Sequence, residues 1–246
     1  MLSIGSVRSM WQWFLRPAGV RSYGARRSFQ QIALAITVPF AAETMAQFAH
    51  AETQSQTPIH VVALGDSLTA GLGLAVKEGF VPRLQATLAA KGVATNIANA
   101  GVSGDTASDG LARLDWSVPA GTDAVIVELG ANDMLRGIDP RVTRNALDAI
   151  LTRLAERHII VLLCGMRAAP NLGAEYGKGF DSIYPDLAAK YGVLLYPFFL
   201  DGVAANAASI QSDGLHPNAA GVDVIVGRIL PKIEELIARV RAQKQT

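Results

Sequence analysis

Five apolar runs recur along the chain: residues 59–64 (IHVVAL), 93–99 (VATNIAN), 123–129 (DAVIVEL), 158–164 (HIIVLLC) and 193–198 (VLLYPF). Runs that stay apolar rather than alternating belong to strands covered on both faces, and helices on the two sides of a parallel sheet supply that cover. The segments between and after them, 78–91, 139–157, 175–191 and 217–244, have the length that crossover helices need. This alternation calls for a doubly wound α/β sheet. Local chemistry agrees: Asp139-Pro140 suits a helix start, and Gly92 and Gly192 stand where helices should stop. Sheets of this kind bind ligands past the carboxyl ends of their strands. Chemistry is therefore expected just after Leu64, Asn99, Leu129, Cys164 and Phe198.

The first fifty residues differ in kind. Residues 1–42 hold five arginines and no acid, and Arg26-Arg27 leads into the apolar stretch 32–42, followed by Ala49-His50-Ala51. A basic region, a short apolar core and a small-x-small site read as a cleaved secretory signal over 1–51, with the paired arginines suggesting the twin-arginine route. An organellar transit peptide and an ordinary core helix are the competing readings. The core has 11 residues, too few for a stable membrane anchor. Cleavage after Ala51 leaves a linker (52–58) and one domain (59–246), with 17 basic and 20 acidic residues. The whole chain carries a net charge of +1, which gives nucleic acid no general attraction. A single cysteine, Cys164, excludes an intrachain disulfide framework and any multi-cysteine zinc site.

After the first run stands Gly65-Asp66-Ser67-Leu68, then Gly71 and Gly73. A glycine-rich turn there can cradle a phosphate, but neither G-x-x-x-x-G-K-[ST] nor G-x-G-x-x-G is present. It can equally present Ser67 as a nucleophile, which needs a base. Of the four histidines, His50 lies in the expected signal, while His60 and His158 begin strands at the edge away from the loops. His216 remains, with Asp213 three residues earlier, and such a turn can bring a carboxylate onto an imidazole. Acyl transfer also needs donors for a developing oxyanion. Gly104, in the loop after the second run, and Asn132, after the third, are placed to offer a backbone and a side-chain amide. One Asp and one His without further clustered ligands do not make a metal site.

Gly65-Asp66-Ser67-Leu68, Gly104 in SGDT, the G-x-N-D at 130–133 and the D-x-x-H-P at 213–217 resemble, in order, the sequence blocks of the SGNH or GDSL hydrolase superfamily. The stretches NAGVSGDTASDGLARL and VELGANDMLRG are similar to its bacterial thioesterase I and arylesterase branch. The resemblance implies a flavodoxin-like three-layer αβα sandwich on a five-stranded parallel sheet, serine esterase chemistry and no cofactor. It implies Ser67 as nucleophile, His216 as base and Asp213 as its orienting partner. The oxyanion would then meet the backbone amides of Ser67 and Gly104 and the side chain of Asn132. Ala131 departs from the glycine that commonly precedes this Asn.

Leu72, Leu74, Met134, Leu135, Tyr176 and Phe180 lie in or near the loops at this edge and are candidates to line an acyl groove, with packing as the alternative for each. Arg167 is a candidate contact for a polar group, or a surface residue. The expectation is a monomeric, periplasmic or secreted enzyme acting on small-molecule esters or thioesters, with organellar and cytoplasmic locations as alternatives. A carbohydrate O-acetyl esterase and a flavodoxin-like module binding FMN or phosphate are the rival functions.

Overall fold

The computed structural model describes residues 57–245. The expected signal (1–51) and most of the expected linker lie outside the described residues. Five strands, β1 (Ile59–Gly65), β2 (Thr95–Gly101), β3 (Ala124–Glu128), β4 (Ile160–Cys164) and β5 (Leu194–Tyr196), form one sheet in the order β2-β1-β3-β4-β5. Every pairing is parallel. The helices are α1 (Ser67–Ala70), α2 (Phe80–Ala90), α3 (Ala107–Ala112), α4 (Leu114–Ser117), α5 (Ala131–Leu135), α6 (Pro140–Glu156), α7 (Ala174–Asp181), α8 (Ile183–Tyr191) and α9 (Ala219–Gln243). α2 packs with α9 on one face of the sheet, and α3, α6 and α8 pack on the other. This is the flavodoxin-like sandwich, and its chain reverses direction across the sheet between β1 and β3.

The core follows from periodicity. β3 is buried at every position, as a central parallel strand must be. α6 buries Ala146, Leu147, Ile150, Leu151 and Leu154, one stripe at helical spacing, while its outer face carries charge. Asp139 caps it by accepting the Arg141 N–H, with Pro140 in the first turn. α9 buries Val222, Ile225, Val226, Ile229, Ile233, Leu236, Ile237 and Val240, and this long stripe carries the helix through Pro231, which faces solvent.

Three details differ from the sequence expectation. The second strand starts and ends two residues later than 93–99, running to Gly101, and as a sheet edge it buries only Ile97. The expected helix over 175–191 is two helices, broken at Ser182, which turns the chain from α7 into α8. The fifth strand contributes only three residues.

Candidate active site

The site is built where β1 meets α1. Gly65 ends the strand against its neighbours: a Cβ there would lie 2.0 Å from Thr69 Oγ1 and 2.8 Å from the Glu128 carbonyl, so only glycine fits. Asp66 follows as the N-cap of α1, its Oδ1 accepting the Leu68 N–H at 3.0 Å. Ser67 is thereby the first residue of a four-residue helix that Gly71 closes, its N–H returning to the Ser67 carbonyl. The phosphate reading fails at this turn. A fully buried carboxylate already occupies the amide at the start of α1, and its charge repels an anion.

The second half of the site is the turn between residues 211 and 216. Its ends are tied by the Gln211 N–H to the His216 carbonyl (2.8 Å) and by a bridge between Ile210 and Pro217. Within it, Asp213 Oδ1 accepts the N–H groups of Leu215 (2.9 Å) and His216 (3.0 Å), leaving Oδ2 for His216 Nδ1 at 2.6 Å. These two backbone donors, and then the imidazole, hold the Asp213 carboxyl down at about 2. On the other side of the ring, His216 Nε2 lies 2.9 Å from Ser67 Oγ. The three side chains form an unbroken path from a carboxylate through an imidazole to a hydroxyl, the arrangement that lets the imidazole take the hydroxyl proton.

Two further loops carry the other two expected oxyanion donors, Gly104 and Asn132. Gly104, with φ of 92°, has an N–H that meets no acceptor among the described residues, while its carbonyl accepts from Arg136 at 2.7 Å. Asn132 Nδ2 donates to Asp66 Oδ2 (3.1 Å) and to the Asp105 carbonyl (3.0 Å). The turn that carries Asn132 starts at Gly130, whose φ of 113° favours glycine, and a Cβ there would fall 2.2 Å from the Tyr184 hydroxyl.

Several residues that hold this geometry escaped the sequence reading. Arg113 is buried and donates to the Gly65 carbonyl (2.8 Å), Asp105 (2.6 Å) and Ser117 (2.9 Å), joining the end of β1 to the Gly104 loop. Asp133, fully buried, accepts from the Ala107 N–H and from Thr143, both at 2.8 Å, and so anchors α3 to α5 and α6. Gln211 Nε2 donates to the carbonyls of Leu72 (2.8 Å) and Pro217 (2.9 Å), clamping the serine loop to the histidine loop. A lone Arg or Gln has no sequence signature for such bridging; for Asp133 the G-x-N-D block was the available signal.

The candidate substrate contacts separate. Leu72 and Leu135 are exposed, Met134 is half-buried, and Leu74 lines an apolar recess beside Ser67 and His216 with Leu68, Phe80 and Ile225. Arg167 is exposed and lies over the Phe198 ring at 5.2 Å. The Tyr176 hydroxyl donates to the Ile138 carbonyl at 2.9 Å. Phe180 requires a correction: it is fully buried, stacked on Tyr176 and edge-on to Tyr184, so it supports the Gly130 turn from behind and lines no groove.

Residues 63–224 match the model of the GDSL-like Lipase/Acylhydrolase family. The chain is 36% identical over 186 residues to Esterase TesA of Pseudomonas aeruginosa, covering 75% of this chain and 92% of that one. It is 35% identical to Thioesterase 1/protease 1/lysophospholipase L1 of Escherichia coli K12, covering 72% and 84%. Among solved structures it resembles AlinE4, an SGNH-hydrolase family esterase, with 44% identity, a TM-score of 0.62, and coverage of 73% and 96%. With its blocks in order and its fold in common with these proteins, the chain belongs to the GDSL-like lipase/acylhydrolase family.

Proposed function

We infer that this chain is a serine ester hydrolase that cleaves carboxylic esters and acyl thioesters through an acyl-enzyme on Ser67. The observation that carries this reading is the continuous path from Asp213 through His216 to Ser67, with spacings of 2.6 Å and 2.9 Å. In the first half-reaction Ser67 Oγ attacks the acyl carbon while its proton passes to His216 Nε2, and Asp213 stabilises the imidazolium. The Ser67 and Gly104 N–H groups and the Asn132 amide receive the oxyanion. Asn132 does this with the hydrogen that otherwise rests on the Asp105 carbonyl, its other hydrogen staying on Asp66. His216 then protonates the leaving alcohol or thiol, and a water deprotonated by His216 hydrolyses the acyl-enzyme.

The substrate class follows from the rim. Leu72, Val102, Leu135 and Leu215, one from each of the four loops that carry the site, are all exposed and suit an apolar acyl group. The relatives' names, esterase and thioesterase/lysophospholipase, support the same class. Residues 1–51 serve as a signal removed on export to the periplasm or beyond, and the mature domain acts as a monomer. Among the described residues no helix is long and apolar enough to cross a membrane. Sequencing the amino terminus of the mature protein tests the export reading, which an intact Met1 would exclude.

Ser67→Ala should abolish hydrolysis of p-nitrophenyl esters with the circular dichroism spectrum unchanged; retained turnover refutes the nucleophile. A panel of oxygen esters, thioesters and acetylated sugars of graded acyl length then defines the substrate. Preference for acetylated sugars would move the enzyme to the carbohydrate esterases.

A further inference from the structure

Beneath Ser67 lie two carboxyls that the hydrolytic relay does not use. Parallel pairing of β1 with β3 sets Gly65 opposite Glu128, and the chain leaves the strand at Asp66, the N-cap of α1, which turns the Asp66 carboxyl towards that of Glu128. Both residues are fully buried, and their carboxyls lie within hydrogen-bonding reach of each other. Glu128 Oε2 accepts the Thr69 hydroxyl at 2.8 Å, whereas Oε1 has no donor among the described residues. The buried guanidinium of Arg113, which reaches the end of β1, is spent on Gly65, Asp105 and Ser117. The other titratable groups that interact with the pair are His216 on the Ser67 side, which acts on Asp66, with Cys164 beside Glu128 and Tyr184 beside both carboxyls. Neither Cys164 nor Tyr184 carries positive charge.

Two adjacent ionised carboxylates in a dry interior, one with a bare oxygen, are untenable without a cation. A single proton between them removes both difficulties. It neutralises one charge and turns the unpartnered oxygen of Glu128 into a donor to Asp66. The charge that remains on Asp66 is the acceptor for the Leu68 N–H, next to the nucleophile, and for the Asn132 amide.

We propose that Asp66 and Glu128 form a one-proton carboxyl pair whose retained charge positions the Asn132 amide for ester hydrolysis, which makes both of them positioning residues. This rests on the oxyanion role given to Asn132 above. Burial and the neighbouring Asp66 charge keep the Glu128 proton bound well above the usual carboxylate range, and burial lifts Asp66 to about 6. Below that pH the pair takes a second proton, Asp66 loses its charge, and the Asn132 amide loses its anchor.

The test separates this from the nucleophile assignment by using a readout that needs no turnover. In infrared difference spectra at pH 8, wild type minus Glu128→Gln should show the carbonyl stretch of a protonated carboxylic acid. Its absence would overturn the shared proton even if Ser67→Ala is inactive. Asp66→Asn should lower kcat by about tenfold to a hundredfold, the scale of a mispositioned oxyanion donor, with KM within about twofold. Its acid limb in kcat should also move to lower pH. An acid limb at the wild-type position, or a loss confined to KM, would overturn the positioning role. Glu128→Gln, which can still accept from Thr69 and donate to Asp66, should recover most of the kcat that Glu128→Leu loses. Equal losses in the two variants would contradict the account, and if Glu128→Leu does not fold, the infrared result decides.

Discussion

The two halves of the site are held in opposite ways. Ser67 opens α1 just past the end of the interior strand β1, 8% exposed, between a fully buried Asp66 and the core residue Leu68. His216 and Asp213 stand on a surface turn, their side chains 17% and 43% exposed, secured by local backbone bonds and by Gln211. The nucleophile therefore inherits its position from the sheet, and the base inherits its position from a turn of six residues. The difference teaches where precision is expensive. A buried serine must be placed by buried polar groups, and here that means an acidic pair in the core. The exposed arm avoids this cost because water solvates Asp213 and screens its charge.

The largest expected break is at the exposed arm. His216→Ala should reduce kcat by about 10⁴-fold or more, since without the base the hydroxyl stays protonated. A steady-state assay with p-nitrophenyl acetate checks this, and a loss of under about tenfold would make the histidine structural. Next comes the buried arm: Asn132→Ala should cost about a hundredfold or more in kcat, as removal of an oxyanion donor does. A loss of under about threefold would leave Asn132 with only its bonds to Asp66 and Asp105.

Smaller effects sharpen the contrast. Gln211→Ala removes the clamp between the arms, and one lost hydrogen bond of about 1 kcal/mol corresponds to about a fivefold fall in kcat/KM. Thermal unfolding should barely change, because the clamp spans surface loops. A drop in Tm above about 5 °C would mean Gln211 holds the fold rather than the site.

The smallest effect is on stability and comes with a sign. Burial raises Asp66 from 3.8 to about 6, so the folded state binds its proton more tightly than the unfolded chain does. That contribution is present at low pH and is lost as pH rises from about 4 to about 6, on the order of 2 kcal/mol. Asp66→Asn should therefore gain Tm relative to wild type between pH 4.5 and pH 7.5, by about 5 °C. An unchanged difference across that range would show that the buried acid carries no such penalty.

The same division decides what was legible in the sequence. Buried strands such as β3 announce themselves as unbroken apolar runs, and a serine, a lone suitable histidine and an Asp three residues before it can be found by elimination. The edge strand β2 was misplaced by two residues, because half of its side chains face solvent and its run includes Asn96 and Asn99. The break at Ser182 was invisible, since apolar spacing continues through it from Phe180 to Ile183. Least legible was the buried arm's support. Asp66 meets Glu128 only because β1 pairs with β3 and the chain turns into α1 at Asp66, and Arg113 reaches Gly65 across 48 residues. Composition and periodicity carry no trace of such pairings. Phe180 erred for the same reason: an aromatic beside a site reads alike whether it lines a groove or buttresses a turn.

The central claim is that Ser67 is the residue that becomes acylated, activated by the exposed arm. Treating the protein with a p-nitrophenyl alkylphosphonate and measuring intact mass, followed by peptide mapping, tests it most directly. The account predicts one adduct per chain, on the peptide carrying Ser67, absent in Ser67→Ala and far slower to form in His216→Ala. An adduct on another residue, or full labelling of Ser67→Ala, would contradict it.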